Sequence, residues 1–468
     1  MTTMSDNKIP KKMLGAIIAP GIMSFCGVVV ETAMNVAFPD LIKQFHISVS
    51  TVQWMTTIYL LIVAMVVPLS AILKRTFRNR ALFLTANIAF IVGLVIDMVA
   101  PAFWMLLLGR VIQGIGTGIA LPLMFNIILE QVPKSQVGMM MGVGCLITGI
   151  APAVGPTYGG VVNSFLSWRW IFVFLIPILL FSLVMGMKDI RQVKPTKRAK
   201  FDVKSVIEIF ITFISLVYGF SEMGKIGTSD KADIACISPI ILGVFVLGSV
   251  IDRSMKIKHP VIQLKILKNK TFLGHLSGFF SLQFLTLGLS FVLPNYIQIV
   301  NGGNSLSAGL LILPGASICA ALAPFGGRIL DKFGARKPIL FGNVLCLIAM
   351  MLFVATGTHL ADWMIASFYG IFMTCIGISF GNIMTSGISY LNVTNHADGN
   401  AVFTTLQQLS GAMGTSVVSA IINHAQLVGG ASKVALTVKG SESAFVVMTF
   451  IVMIGCLPLY KVVGGKGK

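Results

Sequence analysis

Charge is scarce in this sequence. Asp, Glu, Lys and Arg make up only 11% of its 468 residues, less than half the roughly 25% found in a soluble domain. Acids are scarcer than bases, 16 against 35, which leaves a net charge of +19. Cysteine occurs only singly. Cys26, Cys145, Cys236, Cys319, Cys346, Cys375 and Cys456 are scattered through apolar stretches with no CxxC pair. That pattern fits small core residues and argues against a disulfide framework or a metal-ligating motif. Paired carboxylates, His/Cys clusters and a nucleophile beside a base are also missing, so no enzyme, metal site or cofactor is expected. The stretch Gly219–Ile226 approaches a phosphate-binding loop, but Ile226 stands where the magnesium-binding hydroxyl belongs and no strand precedes it. An ATPase is rejected on those grounds.

Apolar sequence, by contrast, is abundant, at 56% of the chain. It falls into fourteen stretches of spanning length: 14–38, 50–73, 81–100, 102–128, 137–160, 168–187, 203–221, 234–251, 272–294, 305–327, 338–356, 362–390, 398–424 and 443–461. Each must be helical, because a chain exposed to lipid has to satisfy its own backbone. The cations are not spread evenly. About 28 of the 35 Lys and Arg fall in the termini and alternate loops of one side, about six on the other, and Arg110 lies within a span. This distribution argues for a lipid bilayer and against nucleic acid as the partner of the positive charge. It places both termini and the Lys188–Lys204 loop in the cytoplasm. The basic N-terminus, through Lys12, leads into a first span read as retained.

Trp104–Ile128 is nearly unbroken apolar sequence interrupted by one charge, Arg110. A guanidinium cannot shed its proton, so in a bilayer it must face a partner or a wet cavity. Arg110 lies ~12 Å below the outer boundary at ~1.5 Å rise per residue, deep for a snorkelling side chain. Gln113 follows on the same face. Glu31 lies at a similar depth in the first span, with Asn35 one turn on. Glu31 either neutralises Arg110 or carries a proton.

Two basic turns repeat. Aligning Ala71 with Gly327 sets Phe77 opposite Phe333 and Arg80 opposite Arg336. The repeat predicts two six-span halves, residues 1–187 and 272–468. Residues 188–271 then form a basic linker, the seventh and eighth spans and an inner loop. Internal repeats of this kind are a feature of secondary transporters. The fifth span carries small residues at helix-packing spacing (Gly138 and Gly142, Gly149 and Ala153), with Pro152 and Pro156 inviting a bend. Trp168 and Trp170 read as an aromatic belt.

Several of these stretches are similar to motifs of the major facilitator superfamily, in particular its fourteen-span drug:proton antiporters. LLLGRVIQGIGTG resembles the fourth-span motif, which implies that Arg110 takes part in proton coupling. GIAPAVGPTYGG resembles the fifth-span antiporter motif, resting here on Gly149, Pro152, Gly155, Pro156, Gly159 and Gly160. WRWIFVFLIP resembles the sixth-span signature, with Leu175 where Asn is usual. ETAMNVAFP resembles the first-span motif with its acid shifted from the position of Val30 to Glu31. The inner-loop motif G-x-L-a-D-r-x-G-r-r is intact in the second half as Gly327, Asp331, Gly334 and Arg336. In the first half Ala71, Arg75 and Arg78 replace its Gly, Asp and second Gly. Asp331 then either latches the two halves or serves ordinary turn chemistry.

The resemblance implies an all-α major facilitator fold, two six-helix halves plus two extra central helices. It also implies proton-coupled export of hydrophobic or cationic small molecules by a multi-pass monomer of the cytoplasmic membrane. Export of a metabolite or amino acid, or a membrane sensor that no longer transports, are the alternatives. Proton coupling is assigned to Glu31 and Arg110, with Glu222 and Asp97 as the next acids. Polar residues on faces expected to turn inward are Asn35, Tyr59, Gln113, Asn126, Tyr158, Asn295, Gln298, Asn382 and Gln407. They line a substrate pocket or serve as interhelical hydrogen-bond glue. His275 reads as hydrogen-bonded structure, and the sequons at Asn269 and Asn392 fall in predicted cytoplasmic loops.

Overall fold

A computed structural model describes residues 10–47, 49–193, 195–196, 202–223, 226–227, 229–257, 260–303, 305–428 and 432–464. The Asn35 side chain, expected in the pocket, and that of Ala153 lie outside the described residues, as do Lys194, Lys197, Arg198 and Lys200 of the basic loop.

The described chain is helical throughout. The first half comprises α1 (Lys11–Val36), α2 (Phe38–Phe45), α3 (Val49–Val66), α4 (Ser70–Thr76), α5 (Asn79–Val99), α6 (Phe103–Gln131), α7 (Val137–Phe165), α8 (Arg169–Val173) and α9 (Leu175–Asp189). Two helices follow, α10 (Val203–Glu222) and α11 (Asp230–Lys256). The second half holds α12 (Lys270–Ile299), α13 (Ser305–Phe333), α14 (Arg336–Thr356), α15 (Asp362–Ser389), α16 (His396–Val428) and α17 (Lys433–Gly464).

Local chemistry sets the breaks. A 3-10 turn at Val67–Leu69, containing Pro68, separates α3 from α4, where proline removes a backbone donor. Asn269 caps α12, its Oδ1 accepting from the backbone N–H of Thr271 and Phe272 at 3.0 and 3.1 Å. Gly334 has φ +79°, a left-handed conformation that glycine adopts without penalty, and it turns α13 into α14.

Among the described residues, twelve helical segments are long and apolar enough to cross a membrane. The chain is thus a multi-pass membrane protein, and of the fourteen expected spans twelve pass on length and composition, thirteen if the bent pair is one span. The expected fifth span is a bent pair, Val137–Pro152 and Val154–Phe165, meeting at 41°. The expected thirteenth, α16, is long but too polar to count. Buried Asp398, Asn400, Thr404, Gln407 and Ser410 dilute its apolar residues. Those side chains face protein, so apolarity is not required of them.

Within the first half, α1 packs on α7 and α9, and α6 on α5 and α3. Within the second, α12 packs on α16 and α17, and α15 on α13 and α14. The halves meet chiefly along α7 and α13, with α16 lying against α3 and α6. Helices α10 and α11 pack on each other, and α10 also touches α3 and α16. Ile241, Leu242, Val244 and Phe245 of α11 are exposed, an apolar face suited to lipid. Arg253 grips Asp202 through two hydrogen bonds of 2.9 Å, tying α11 to the start of α10. These bonds hold the Asp202 carboxyl down at about 2. Trp170 is exposed, as a belt residue should be. Trp168 departs from that expectation: it is buried and donates to Gln44 at 2.8 Å.

Candidate functional site

Three arrangements bring the chemistry-bearing residues together. The first is a buried charge network in the first half. Close approach of α5 to α6 makes it possible: a Cβ at Gly93 would sit 2.6 Å from Gln113 Cγ and 2.7 Å from the Gly109 carbonyl. The contact carries Asp97, near the end of α5, to the side of α6. Gln113 Nε2 donates to Asp97 Oδ2 at 2.8 Å, and Arg110 Nη1 donates to Gln113 Oε1 at 3.0 Å. Arg110 Nη2 reaches the Val30 carbonyl at 3.3 Å. The guanidinium also lies 5.3 Å from the centre of the Tyr59 ring, whose hydroxyl donates to Thr117 at 2.9 Å. Arg110, Gln113 and Asp97 are each 0% exposed. Asp97 Oδ1 and Arg110 Nε have no partner. Glu31 is half-buried, one residue beyond Val30, and no ion pair joins it to Arg110 among the described residues.

The second arrangement is a cavity between α7 and helices α12, α13, α15 and α16 of the second half. The space within it open to a water-sized sphere is about 40 Å³, small beside the ~300–1,000 Å³ of sites that hold drug-sized molecules, so such a ligand requires the cavity to widen. Its polar lining is Thr148, Gln283, Thr286, Asn382 and Gln407, set among apolar residues such as Leu146 and Phe380. Gly149 and Pro152 line it at the bend of α7.

The third lies at the end of the bundle that bears the basic turns. Asp331, in the last turn of α13, accepts from the backbone N–H of Gly138 at 2.9 Å and of Met139 at 3.0 Å. These are orphan donors in the first turn of α7, where the helix dipole favours an anion. The repeat-related position in the first half is Arg75, at the end of α4. It pairs with Asp398 in the first turn of α16, whose other oxygen accepts from the Gln263 backbone at 3.0 Å. The first-half loop motif, expected to be degraded, thus still joins the halves, with the charges exchanged. Beside it, Lys74 is buried and donates to Glu130 at 2.6 Å and Asn79 at 2.7 Å. Asn400 Nδ2 on α16 reaches Asn126 Oδ1 at 2.9 Å and the Pro122 carbonyl at 3.0 Å across the same junction.

The residues expected from sequence divide among these places. Asn382 and Gln407 line the cavity. Tyr59 and Gln113 belong to the charge network, and Asn126 to the junction. Tyr158 donates to the Ile171 carbonyl at 2.8 Å, and Asn295 to Phe291 of its own helix at 2.7 Å. Gln298 is exposed. The fifth-span motif splits as well. Gly155 and Gly159 seat α7 against Thr32 and Ala33 of α1, while a Cβ at Gly149 or Gly160 would meet nothing within 4 Å. Gly327 crosses α7 at Gly138, and Arg336 is exposed at the start of α14. His275 is buried between the Thr271 carbonyl at 2.7 Å and Ser386 Oγ at 2.9 Å. Gly219, the first residue of the phosphate-loop look-alike, lies inside α10. Sequence reasoning missed Gln283, Thr286 and the Arg75–Asp398 pair, and it ranked Asp97 behind Glu31. A lone acid in an otherwise apolar span was the available signal for Asp97.

Comparison with known proteins extends over nearly all of the chain. The sequence model of the Major Facilitator Superfamily matches residues 21–415. The lincomycin resistance protein LmrB of Listeria monocytogenes is 36% identical over 94% of this chain and 95% of its own length. LmrB of Bacillus subtilis is 34% identical over 89% and 86%. The multidrug resistance protein B homolog of Mycobacterium tuberculosis is 27% identical over 90% and 79%. Among solved structures, the human organic anion transporter MFSD10 (TETRAN) superposes with a TM-score of 0.65 at 12% identity. That match covers 95% of this chain and 100% of the other, a likeness of fold alone.

Proposed function

The chain belongs to the Major Facilitator Superfamily and is a transporter rather than an enzyme, and from that premise we propose that it is a proton-coupled antiporter exporting hydrophobic and cationic small molecules, drugs and dyes, across the cytoplasmic membrane. The relatives named for lincomycin and multidrug resistance support the substrate class. The observation that carries the coupling is the buried set of Arg110, Gln113 and Asp97 with Glu31 one residue past the Val30 carbonyl. A carboxyl group beside a permanently charged guanidinium inside a membrane changes the local charge by one unit when it gains or loses a proton, and burial weakens the screening of that change. Glu31 carries the proton and Arg110 sets its affinity.

In this reading both termini are cytoplasmic and the protein works as a monomer. All fourteen stretches cross the bilayer, the bent α7 and the polar α16 included. At 33 residues, α16 is ~50 Å long at ~1.5 Å per residue, more than the hydrocarbon core requires. Residues 1–187 and 272–468 rock against each other about the cavity, while residues 188–271 pack at their side.

Everted vesicles, energised and then given a dye, provide the test. The parent should release protons on addition of the dye, and Glu31→Gln should not. A parent that binds the dye without releasing protons is a sensor, and antiport is wrong. A Glu31→Gln variant that behaves like the parent moves the coupling acid to Asp97.

A further inference from the structure

The cavity is notable for its lack of charge. No Asp, Glu, Lys, Arg or His occurs among the described residues that line it. Its recognition chemistry therefore has to come from five neutral polar side chains, and three of these are already engaged. Thr148 Oγ1 donates to the Cys145 carbonyl at 3.1 Å, and Thr286 Oγ1 to the Leu282 carbonyl at 2.8 Å. Asn382 Nδ2 donates to the carbonyls of Gly326 at 2.9 Å and Ile378 at 2.6 Å. The remaining two, Gln283 on α12 and Gln407 on α16, are 9% and 8% exposed. Neither amide has a side-chain hydrogen bond to the described protein. Each amide carries two donors and an acceptor, and buried polar groups in folded proteins are paired almost without exception. Two free amides on facing helices of one cavity are therefore placed for a ligand.

We propose that Gln283 and Gln407 are the specificity-determining pair of this cavity, and that they bind the exported compound as an uncharged, amphipathic molecule through its own amide, carbonyl or hydroxyl groups. The proposal rests on the export reading given above and narrows its substrate class. Leu146, Leu287 and Phe380 supply the apolar walls. A cation entering this space loses its water and finds no carboxylate to replace it, which disfavours it against a neutral molecule of similar size. An amide or diol exchanges its water for two glutamine side chains with little loss. Protonation in the first half then acts on export through which face is open, without an acid touching the ligand.

The test uses purified full-length protein and two probes: chloramphenicol, an uncharged amide with two hydroxyls, and tetraphenylphosphonium, a permanent cation. The parent should bind chloramphenicol at least tenfold more tightly by calorimetry. Gln283→Leu and Gln407→Leu should each weaken chloramphenicol about tenfold and leave tetraphenylphosphonium within twofold, at parent melting temperature. Gln407→Glu should reverse the order by giving the cation a partner. A parent that prefers the cation, or leucine variants that bind chloramphenicol like the parent, overturn the proposal. Proton release from vesicles is read separately: tight chloramphenicol binding with no release defeats antiport and leaves the recognition pair standing.

Discussion

The helices before α10 and those after α11 hold polar groups in opposite ways. In the first, α5 and α6 close on Asp97, Gln113 and Arg110, all fully buried and linked by hydrogen bonds of 2.8 and 3.0 Å. In the second, α12, α13, α15 and α16 face α7 across a cavity whose polar side chains are neutral, two of them unpaired. Charge is packed within one set, and a small cavity lies between the two. The physical reason is desolvation. A buried guanidinium needs partners at contact distance, so its surroundings cannot also leave room for a ligand. An unpaired neutral amide costs far less, so a neutral wall can face a cavity that fills and empties. In the proposed mechanism, coupling and recognition are separated for this reason, with α7 touching both.

The comparison is tested most severely at Arg110. Arg110→Ala leaves Gln113 and Asp97 with no cation, and removing one partner from a buried charge set costs about 3–5 kcal/mol. A lower melting temperature together with loss of vesicle transport is expected, in contrast to the glutamine variants of the cavity, which should melt like the parent. An Arg110→Ala protein of parent stability and turnover would show that charge does not pin the first half.

Helix α7 gives a smaller and sharper contrast, because its two faces belong to different regions. Gly155 abuts Thr32 and the Val29 carbonyl of α1, whereas a Cβ at Gly149 would meet nothing within 4 Å. Gly155→Leu should overpack that contact, at about 1–3 kcal/mol, and abolish export from protein that still inserts. Gly149→Ala should keep the fold and alter only which compounds are exported, as read in a resistance panel. Equal effects from the two would erase the distinction between faces.

The smallest effects belong to the junctions at the basic end, where the halves differ by an exchange of charge. Asp331→Asn keeps one acceptor for the two α7 donors, so turnover should fall only severalfold while substrate binding holds. Arg75→Asp sets two carboxylates face to face and should fall further. Adding Asp398→Arg should restore most of the loss, measured as a double-mutant cycle on vesicle transport. If the double variant does no better than Arg75→Asp alone, the ion pair contributes nothing to the cycle.

Much of the fold was legible because a bilayer leaves a chain few choices. Long apolar runs must be helices. Two of the fourteen stretches do not pass as single apolar helices where that constraint lapses: α16 lies against other helices and is free to be polar, and the glycines and prolines of α7 let it bend. The candidate site was less legible. Gln407 and Asn382 were singled out, but nothing in their local sequence distinguishes them from Asn295 or Tyr158, which bond to backbone instead. Arg75 looked like damage to a motif because its partner, Asp398, is 323 residues away.

The sequence by itself determined that this chain spans a membrane many times and that Arg110 needs a partner. These follow from composition and spacing, because the cost of an unsatisfied group in lipid applies wherever the residue sits. Only the tertiary structure decided which partner each polar group found. Asp97 was brought to Gln113 by the crossing of α5 and α6, Arg75 was paired with Asp398, and Gln283 and Gln407 were left facing a cavity. A hydrogen bond is settled within about half an ångström, and the helix crossings that place atoms to that tolerance are set by packing across the whole bundle.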